Sequence, residues 1–235
     1  MCVCLEGEMM HERMIDRGPT ARESHISRRQ FAQSALASAG LFVVGPALAQ
    51  ERQPLLGTTA ESPMGPFYPL RPLSENDADL TRLSGHANRA RGAVIELTGR
   101  VRDLRGNPIA GAEIELWQAN AAGRYMHELD PATSPLDPDF QGYARLRTGP
   151  DGAYRIVTIK PAGYDSPIGH RPPHLHFDLR GRTHRSIAQM YFPEEGEGNA
   201  RDTLYRALGD EARTSLAMRD AADPTKYRWD VILMG

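Results

Sequence analysis

Cysteine is almost absent from this chain: only Cys2 and Cys4 occur among its 235 residues. Because both stand at the extreme start, the remainder can form neither a disulfide framework nor a thiolate metal site. Net charge is also small, at −2, and no basic cluster stands out, so a nucleic-acid partner has no electrostatic basis. Apolar runs are too short for a comfortable membrane-spanning helix, in agreement with a mean hydropathy of −0.50.

Residues 1–49 differ in composition from the rest of the chain. The sequence Ser-Arg-Arg-Gln-Phe at 27–31 precedes an apolar run of small residues at 34–49, which ends in Ala-Leu-Ala. A charged start, a short apolar middle and a small-residue cleavage site are typical of an export signal, and the paired arginines resemble a twin-arginine signal. We therefore expect cleavage after Ala49 and a periplasmic or extracellular protein; the alternative is an uncleaved amphipathic tail.

An extended arm is predicted at 50–92, because Gly-Pro-Phe-Tyr-Pro at 65–69 is too rich in proline to continue a helix or a central strand. Beyond it, apolar–polar alternation predicts strands, and two stretches predict short helices. Many short strands separated by turn signals indicate a mainly β, single-domain β-sandwich at 93–235, with short helices. The predicted strands are 94–101, 112–117, 154–159, 174–179, 187–192 and 229–234, and the predicted helices are 202–208 and 211–218.

A histidine pair is the first candidate for chemistry. In Arg-Pro-Pro-His-Leu-His-Phe at 171–177, strand alternation places His174 and His176 on one face, and Leu175 and Phe177 on the other, toward a core. Two imidazoles on one strand face are suited to binding a metal ion. Taken alone, the pair also fits ordinary strand histidines, or a zinc or copper site.

Two tyrosines add a second signal. Tyr125 and Tyr164 each follow a predicted strand, in a loop that carries glycine. Each by itself would serve as a packing residue or a loop anchor. Their combination with the histidine pair gives a mixed set of phenol and imidazole donors, and phenolate oxygens argue against zinc.

Several motifs resemble the intradiol ring-cleavage dioxygenases, most closely the iron-binding chain of protocatechuate 3,4-dioxygenase. The resemblance extends from about residue 65 to the C-terminus, in order and with similar spacing. It is carried by Gly-Ala-Glu-Ile-Glu-Leu-Trp-Gln-Ala-Asn at 111–120, Gly-Arg-Tyr at 123–125, Thr-Ile-Lys-Pro at 158–161, His-Leu-His-Phe at 174–177, Gln-Met-Tyr-Phe at 189–192 and Tyr-Arg-Trp-Asp at 227–230.

The resemblance implies a mononuclear, non-haem iron(III) site. Its ligands would be Tyr125, Tyr164, His174 and His176, and the hard phenolate oxygens of such a set favour the ferric ion. The implied reaction uses O2 to open a catechol-type ring between its two hydroxylated carbons, giving a muconate-type diacid.

By the same resemblance, further residues have roles in the reaction. Tyr164 is the base that leaves the metal as substrate binds, and Arg171 stabilises negative charge on the attacked carbon. The residues expected to contact the substrate are Gln189, Gly65, Pro66 and Trp117.

Two features depart from the resemblance. Tyr-Asp-Ser-Pro at 164–167 has no aromatic residue after Tyr164, and an inward-pointing Asp165 would disfavour a carboxylated ring. Catechol and hydroxyquinol are therefore alternatives to protocatechuate. One sequence carries both the arm and the full ligand set, so the protein works alone or as a homo-oligomer. Residues 99–112 also resemble transthyretin-like β-sandwiches, which makes a non-catalytic binding module the alternative of another class.

Overall fold

The computed structural model describes residues 54–71 and 75–234, so the predicted export segment at 1–49 lies outside the described residues. Beyond Gln50 the chain forms one compact unit. Its strands are β1 Val94–Arg102, β2 Glu113–Trp117, β3 Tyr143–Arg147, β4 Ala153–Ile159, β5 Tyr164–Ser166, β6 Gly169–Arg171, β7 His174–Arg180, β8 Arg185–Tyr191, β9 Met218–Arg219, β10 Lys226–Arg228 and β11 Val231–Ile232. The helices are α1 Gly196–Arg201 and α2 Thr203–Ala207, with 3-10 helices at Pro193–Glu195 and Gly209–Ser215.

Two sheets face each other across the core. In the larger one, the order is β11-β1-β10-β9, and β4 also pairs with β1. The second sheet is antiparallel, with the order β3-β2-β7-β8, and β5 and β6 form a separate hairpin. Buried apolar side chains from both sheets, such as Leu97 and Ile156 from one and Leu116 and Phe177 from the other, form a single cluster. This is the inner layer of a β-sandwich.

Strand β7 is buried on both of its faces. Leu175, Phe177 and Leu179 belong to the core between the sheets. His174 and His176 alternate with them and are also buried, on the outer face of the second sheet. The structure therefore confirms the prediction that the histidines and the core residues lie on opposite faces of this strand.

The arm covers part of that outer face. Residues 54–71 and 75–93 contain no helix, and their only pairing within the described chain is an isolated bridge between Asp79 and Val157. The Ser62 N–H donates to the Ile187 carbonyl (2.8 Å), and the Tyr68 hydroxyl donates to Glu115 Oε2 (2.5 Å). These bonds fasten the arm to the second sheet.

The predicted sandwich, short helices and extended arm are confirmed. The helix predicted at 211–218 is instead the 3-10 helix Gly209–Ser215, because Leu216 is extended and the Ala217 N–H donates to the Tyr191 carbonyl beside β8 (3.1 Å). The strand predicted at 229–234 is reduced to β11. The reason is that the Asp230 carboxylate, not a backbone carbonyl, accepts from the Arg100 N–H (3.0 Å).

Strand β3 was not predicted from the sequence. Its exposed residues, Arg145 and Arg147, alternate with Ala144 and Leu146, so the pattern of a half-buried strand is present in the sequence but is short. Both arginines reach Glu113 on the neighbouring β2, at 2.7 Å each. Only the pairing of the two strands supplies this partner.

Within the described residues, no helix combines the length and the apolar character needed to cross a bilayer.

Replacement of Phe177 tests the core. Its ring is fully buried and lies 4.8 Å from that of Trp229, between the sheets. We expect Phe177→Ala to lower the free energy of unfolding by about 3–5 kcal/mol, because the lost contacts leave a cavity. Urea denaturation measures this change. The exposed Met218→Ala serves as control, with a change within about 0.5 kcal/mol; similar losses in the two variants would contradict the packing described here.

Candidate active site

Two imidazoles face each other on the outer side of β7. The Nε2 atoms of His174 and His176 are 3.1 Å apart, and both side chains are almost fully buried. His174 Nδ1 lies 2.6 Å from the Pro172 carbonyl oxygen, which can only accept. A neutral His174 that donates from Nδ1 therefore keeps a lone pair on Nε2, the arrangement usual in metal-binding histidines.

Two phenols lie beside the imidazoles. The hydroxyl oxygens of Tyr125 and Tyr164 are 3.4 Å apart, and their rings are perpendicular, with centroids 5.5 Å apart. The Tyr125 ring centroid is 6.0 Å from that of His176, and the Tyr164 centroid is 5.7 Å from that of His174. The four predicted ligand side chains thus form one cluster, although they come from separate parts of the sequence.

Close packing of two loops places the phenols together. Gly123, two residues before Tyr125, has φ +76, and a Cβ there would lie 2.5 Å from the Gly163 carbonyl oxygen, next to Tyr164. Glycine is thus needed at 123 for its backbone conformation and for the close approach of the two loops. The Asp130 carboxylate accepts a hydrogen bond from the Tyr125 N–H (2.6 Å) and so fixes the backbone at Tyr125.

Burial holds the two histidines neutral. It lowers the pKa of His174 to about 3, and the charge of Arg171 adds to the effect. Burial also brings the pKa of His176 well below its ordinary value, with His174 and Arg171 contributing. The neutral imidazole is the form that binds a metal ion, so both side chains are ready to act as ligands.

The two phenols differ from each other. Burial raises the pKa of both, and that of Tyr125 rises well above its usual range. The two hydroxyls are 3.4 Å apart, and either can be the donor in the contact between them. Tyr125 is 2% exposed, whereas Tyr164 is half-buried and borders a cavity. Coordination to a cation lowers the pKa of a phenol and so offsets the effect of burial.

Aromatic rings and the arm support the histidines from behind. The indole of Trp117 stacks on His176 at 5.0 Å between centroids, and Tyr191 stacks on His174 at 5.7 Å. Gly65 of the arm approaches His176 so closely that a Cβ would lie 3.3 Å from its Cε1 atom. The imidazole rings are therefore fixed in orientation by the surrounding packing.

A buried ion pair lies next to this cluster. Arg171 is 4% exposed, and its Nε donates to Asp202 Oδ2 (2.5 Å). Its Nη2 donates to Gln189 Oε1 (2.7 Å) and to the Tyr191 hydroxyl (3.0 Å). Burial by itself would lower the pKa of Arg171, but Tyr191 and Asp202 raise it, so the guanidinium is a permanent charge.

Asp202 and Gln189 connect this ion pair to other elements. Asp202 Oδ1 accepts from the Tyr205 N–H (2.7 Å), which makes Asp202 the N-cap of α2. Gln189 Nε2 donates to the Pro63 carbonyl in the arm (3.1 Å). Helix α2, strand β8 and the arm therefore meet around the guanidinium of Arg171.

A cavity of about 480 Å³ opens onto the cluster. It is bordered by Tyr164, Arg171, His176 and Gln189, and by Gly65, Pro66 and Phe67 of the arm. A second cavity of the same volume lies elsewhere and shares no lining residue with it, so volume does not identify the site. The imidazoles, phenols and buried cation beside the first cavity do.

Comparisons with known proteins agree with this chemistry. A family model described as "Dioxygenase" matches residues 64–235. The beta chain of protocatechuate 3,4-dioxygenase from Burkholderia cepacia is 39% identical, over 72% of this chain and 77% of that one. The alpha chain from the same organism is 33% identical, over 63% and 76%. This chain belongs to the intradiol ring-cleavage dioxygenases.

A solved structure shows the same fold. The dioxygenase domain of a dioxygenase–carbohydrate-binding fusion protein from Streptomyces sp. SirexAA-E has a TM-score of 0.57 and 24% identity, covering 75% of this chain and 98% of that one. As an intradiol dioxygenase, the protein is an oxidoreductase, so it is not the non-catalytic transthyretin-like module considered as the alternative.

The donor cluster fits the iron on which this family depends. Among the described residues, no group of three or more histidine, cysteine, aspartate or glutamate side chains forms a metal site, so an ion here needs the phenols as well. Two neutral imidazoles and two hard phenol oxygens are donors that iron accepts. His176 Nδ1 is buried and has no hydrogen-bond partner in the described chain.

The structure assigns different positions to the residues predicted to contact substrate. Gly65, Pro66 and Gln189 line the cavity, as does Arg171. Trp117 is not in the cavity wall, because it lies behind His176 and stacks on its imidazole. Asp165 borders the cavity, but its side chain is 93% exposed and pairs with His170 Nδ1 (2.8 Å) instead of pointing inward.

Sequence reasoning did not find Asp202 or Tyr191. The only local sign of Asp202 is an N-cap residue before the predicted helix at 202–208, which says nothing of a distant arginine. Tyr191 belongs to the Gln-Met-Tyr-Phe motif, but its hydroxyl position depends on the pairing of β7 with β8. Tertiary structure alone brings both to Arg171.

Removal of the Asp202 charge tests the buried ion pair. We expect Asp202→Asn to lower the free energy of unfolding by about 3–5 kcal/mol, because it leaves the Arg171 guanidinium buried without a counter-charge. Asparagine caps helices as well as aspartate, so the N-cap of α2 is retained. Denaturant unfolding gives the value.

The matched control is Asp151→Asn, which removes the charge from an exposed pair with Arg100 (3.3 Å). We expect less than about 1 kcal/mol there. Equal losses in the free energy of unfolding would show that the buried pair of Asp202 and Arg171 stabilises the fold no more than an exposed pair does.

Proposed function

We propose that this protein is an iron(III)-dependent enzyme that cleaves a catechol-type ring between its two hydroxylated carbons. Both atoms of O2 enter the product, a muconate-type diacid. The observation that supports the proposal is the cluster of Tyr125, Tyr164, His174 and His176 beside a cavity that also holds Arg171. No other set of side chains on the described surface of this cavity combines such donors.

The four clustered side chains would hold a single, non-haem ferric ion. Two phenolates favour iron(III) over iron(II), because hard anionic oxygens stabilise the higher charge. When bound, the ferric ion supplies a Lewis acid that holds the deprotonated diol and allows the ring to donate electron density to O2. The same oxygens make zinc or copper a poorer match for this site than iron.

The two tyrosines have different tasks in this proposal. Tyr125 is enclosed by protein, and its backbone is bonded to Asp130, so it remains a fixed ligand. Tyr164 lines the cavity, and its oxygen is the one that an arriving diol can reach. We assign Tyr164 as the base whose phenolate oxygen takes a proton from a substrate hydroxyl.

Arg171 provides a fixed positive charge next to the reacting ring. Its guanidinium is oriented by Asp202 and Gln189 before substrate arrives, so no reorganisation is needed when negative charge develops on the attacked ring carbon. Gln189, Gly65 and Pro66 border the space in which the ring is held. The arm thereby helps to exclude water from the reacting atoms.

The likeness to protocatechuate 3,4-dioxygenase chains supports the same type of ring cleavage, and the likeness by itself leaves protocatechuate, catechol and hydroxyquinol as candidate substrates. Those relatives occur as alpha and beta chains. Here one chain type carries the arm and the whole donor set, so we propose that it functions without a second chain type, as a homo-oligomer. Its partners are then a small catecholic substrate and O2.

The colour of the purified protein tests the metal site. We expect about one iron per chain and a red to burgundy colour, from charge transfer between tyrosinate and iron(III). Tyr125→Phe should shift or bleach the visible band, because one phenolate is lost. Metal analysis and the visible spectrum measure both effects, independently of turnover.

The control for the colour is Tyr143→Phe. Tyr143 is a buried tyrosine on β3 that packs near Trp117 but lies outside the donor set, so its variant should keep the band. A colourless protein that contains one zinc per chain would overturn the proposal.

We also propose that residues 1–49 direct export through a twin-arginine route. Expression of the full chain in a bacterial host should give a periplasmic protein whose mass corresponds to a start at Gln50. Arg28→Lys together with Arg29→Lys should leave the protein in the cytoplasm with its first 49 residues attached. Intact mass and fractionation distinguish the outcomes, and unprocessed protein in the periplasm would contradict the cleavage site.

A further inference from the structure

The outer part of the active-site cavity is apolar. Leu129 follows the Tyr125 loop, Ile168 stands in the turn between β5 and β6, and Leu204 is on α2. Leu129 and Ile168 are 66% and 49% exposed, which is unusual for large apolar side chains gathered at one opening. Pro131, Ala132 and Pro167 also line the cavity, together with the polar residues Asp130, Asp165 and Ser166.

The charged residues of the cavity already have partners. Arg171 is paired with Asp202, and the Asp130 carboxylate accepts from the backbone N–H groups of Tyr125 and Ala132. Asp165 is paired with His170 in solvent. Among the described lining residues, Asp130 and Asp165 are carboxylates, and the one cation, Arg171, is buried away from the opening. A substrate carboxylate at the opening would meet no unpaired positive charge there.

The cavity is also larger than one aromatic ring requires. At about 480 Å³ it lies within the range of roughly 300–1,000 Å³ that holds drug-sized molecules. The ring must reach Tyr164 and His176 at the inner end, so a ring substituent points toward the apolar opening. An anionic substituent in that place loses hydration without gaining a partner, whereas an apolar one gains contact area.

We propose that the substrates of this enzyme are catechols with an uncharged, apolar ring substituent, and that it discriminates against carboxylated catechols. This inference rests on the proposed ring-cleavage function. Leu129, Ile168 and Leu204 contact the substituent and determine this specificity. The enzyme thereby differs in substrate from the protocatechuate dioxygenase chains that it resembles in sequence.

A pair of matched compounds tests the charge preference. 3,4-Dihydroxybenzoate and its methyl ester share the diol and the electron-withdrawing carbonyl, but only the acid carries a charge at neutral pH. We expect kcat/KM for oxygen uptake by the iron-loaded enzyme to be at least about tenfold higher for the ester. 4-tert-Butylcatechol should also exceed the acid. An acid used as well as its ester would overturn the inference.

A charge placed at the opening gives the second test. Ile168→Arg adds a cation at an exposed turn position and leaves the backbone hydrogen bond from the Thr203 hydroxyl to the Ile168 carbonyl possible. We expect the ester-to-acid ratio to fall by about tenfold or more. Met218→Arg adds the same charge on β9, away from the cavity, and should leave the ratio within about twofold. A ratio unchanged by Ile168→Arg would overturn the assignment of Ile168 to the substituent.

Failure of the proposed function gives a different result. An iron-loaded enzyme that consumes no oxygen with any of the three compounds would reject ring cleavage of such catechols. Anaerobic calorimetry with the same compounds then decides the inference on its own. Tighter binding of the ester than of the acid supports it, and equal or weaker binding of the ester overturns it.

Discussion

Strand β7 carries the constraint on which the rest of the structure depends. Its side chains alternate between two buried faces, so a change of register by one residue would send the imidazoles into the core and the core residues into the site. Leu175 and Phe177 seal the space between the sheets, and this packing fixes where His174 and His176 stand. Stability of the sandwich and geometry of the donor cluster are thus two consequences of one strand.

Around that strand, a buried ion pair joins elements that are distant in the sequence. Arg171 precedes β7, Asp202 begins α2, and Gln189 on β8 holds the arm through the Pro63 carbonyl. An ion pair buried to this degree is costly unless every polar atom has a partner. The network therefore orients the Arg171 guanidinium and also fixes the positions of a helix and of the arm beside the cavity.

In the function and specificity that we propose, reaction type and substrate choice depend on different parts of the cavity. The inner part contains the imidazoles of β7, the two phenols and Arg171 of β6, to which we assign the chemistry. The outer part consists of Leu129, Ile168 and Leu204, from three loops or helix positions without a role in the chemistry. Loops differ between relatives more readily than a packed strand does. Two relatives can therefore share the inner residues and still act on different substrates.

The sequence by itself determined the sandwich and the arm, because strand periodicity and turn-forming residues are local properties. The four donors were predicted from a resemblance carried by short motifs, and the structure brings their side chains into one cluster. It did not reveal β3, whose arginines pair with Glu113 and Glu115 on the neighbouring strand. Nor did it reveal Asp202 as the partner of Arg171, or the outward direction of Asp165. These facts depend on which distant groups come into contact, and only the tertiary structure decides that. The physical reason is that a contact between residues far apart in the chain produces no repeating pattern in the sequence.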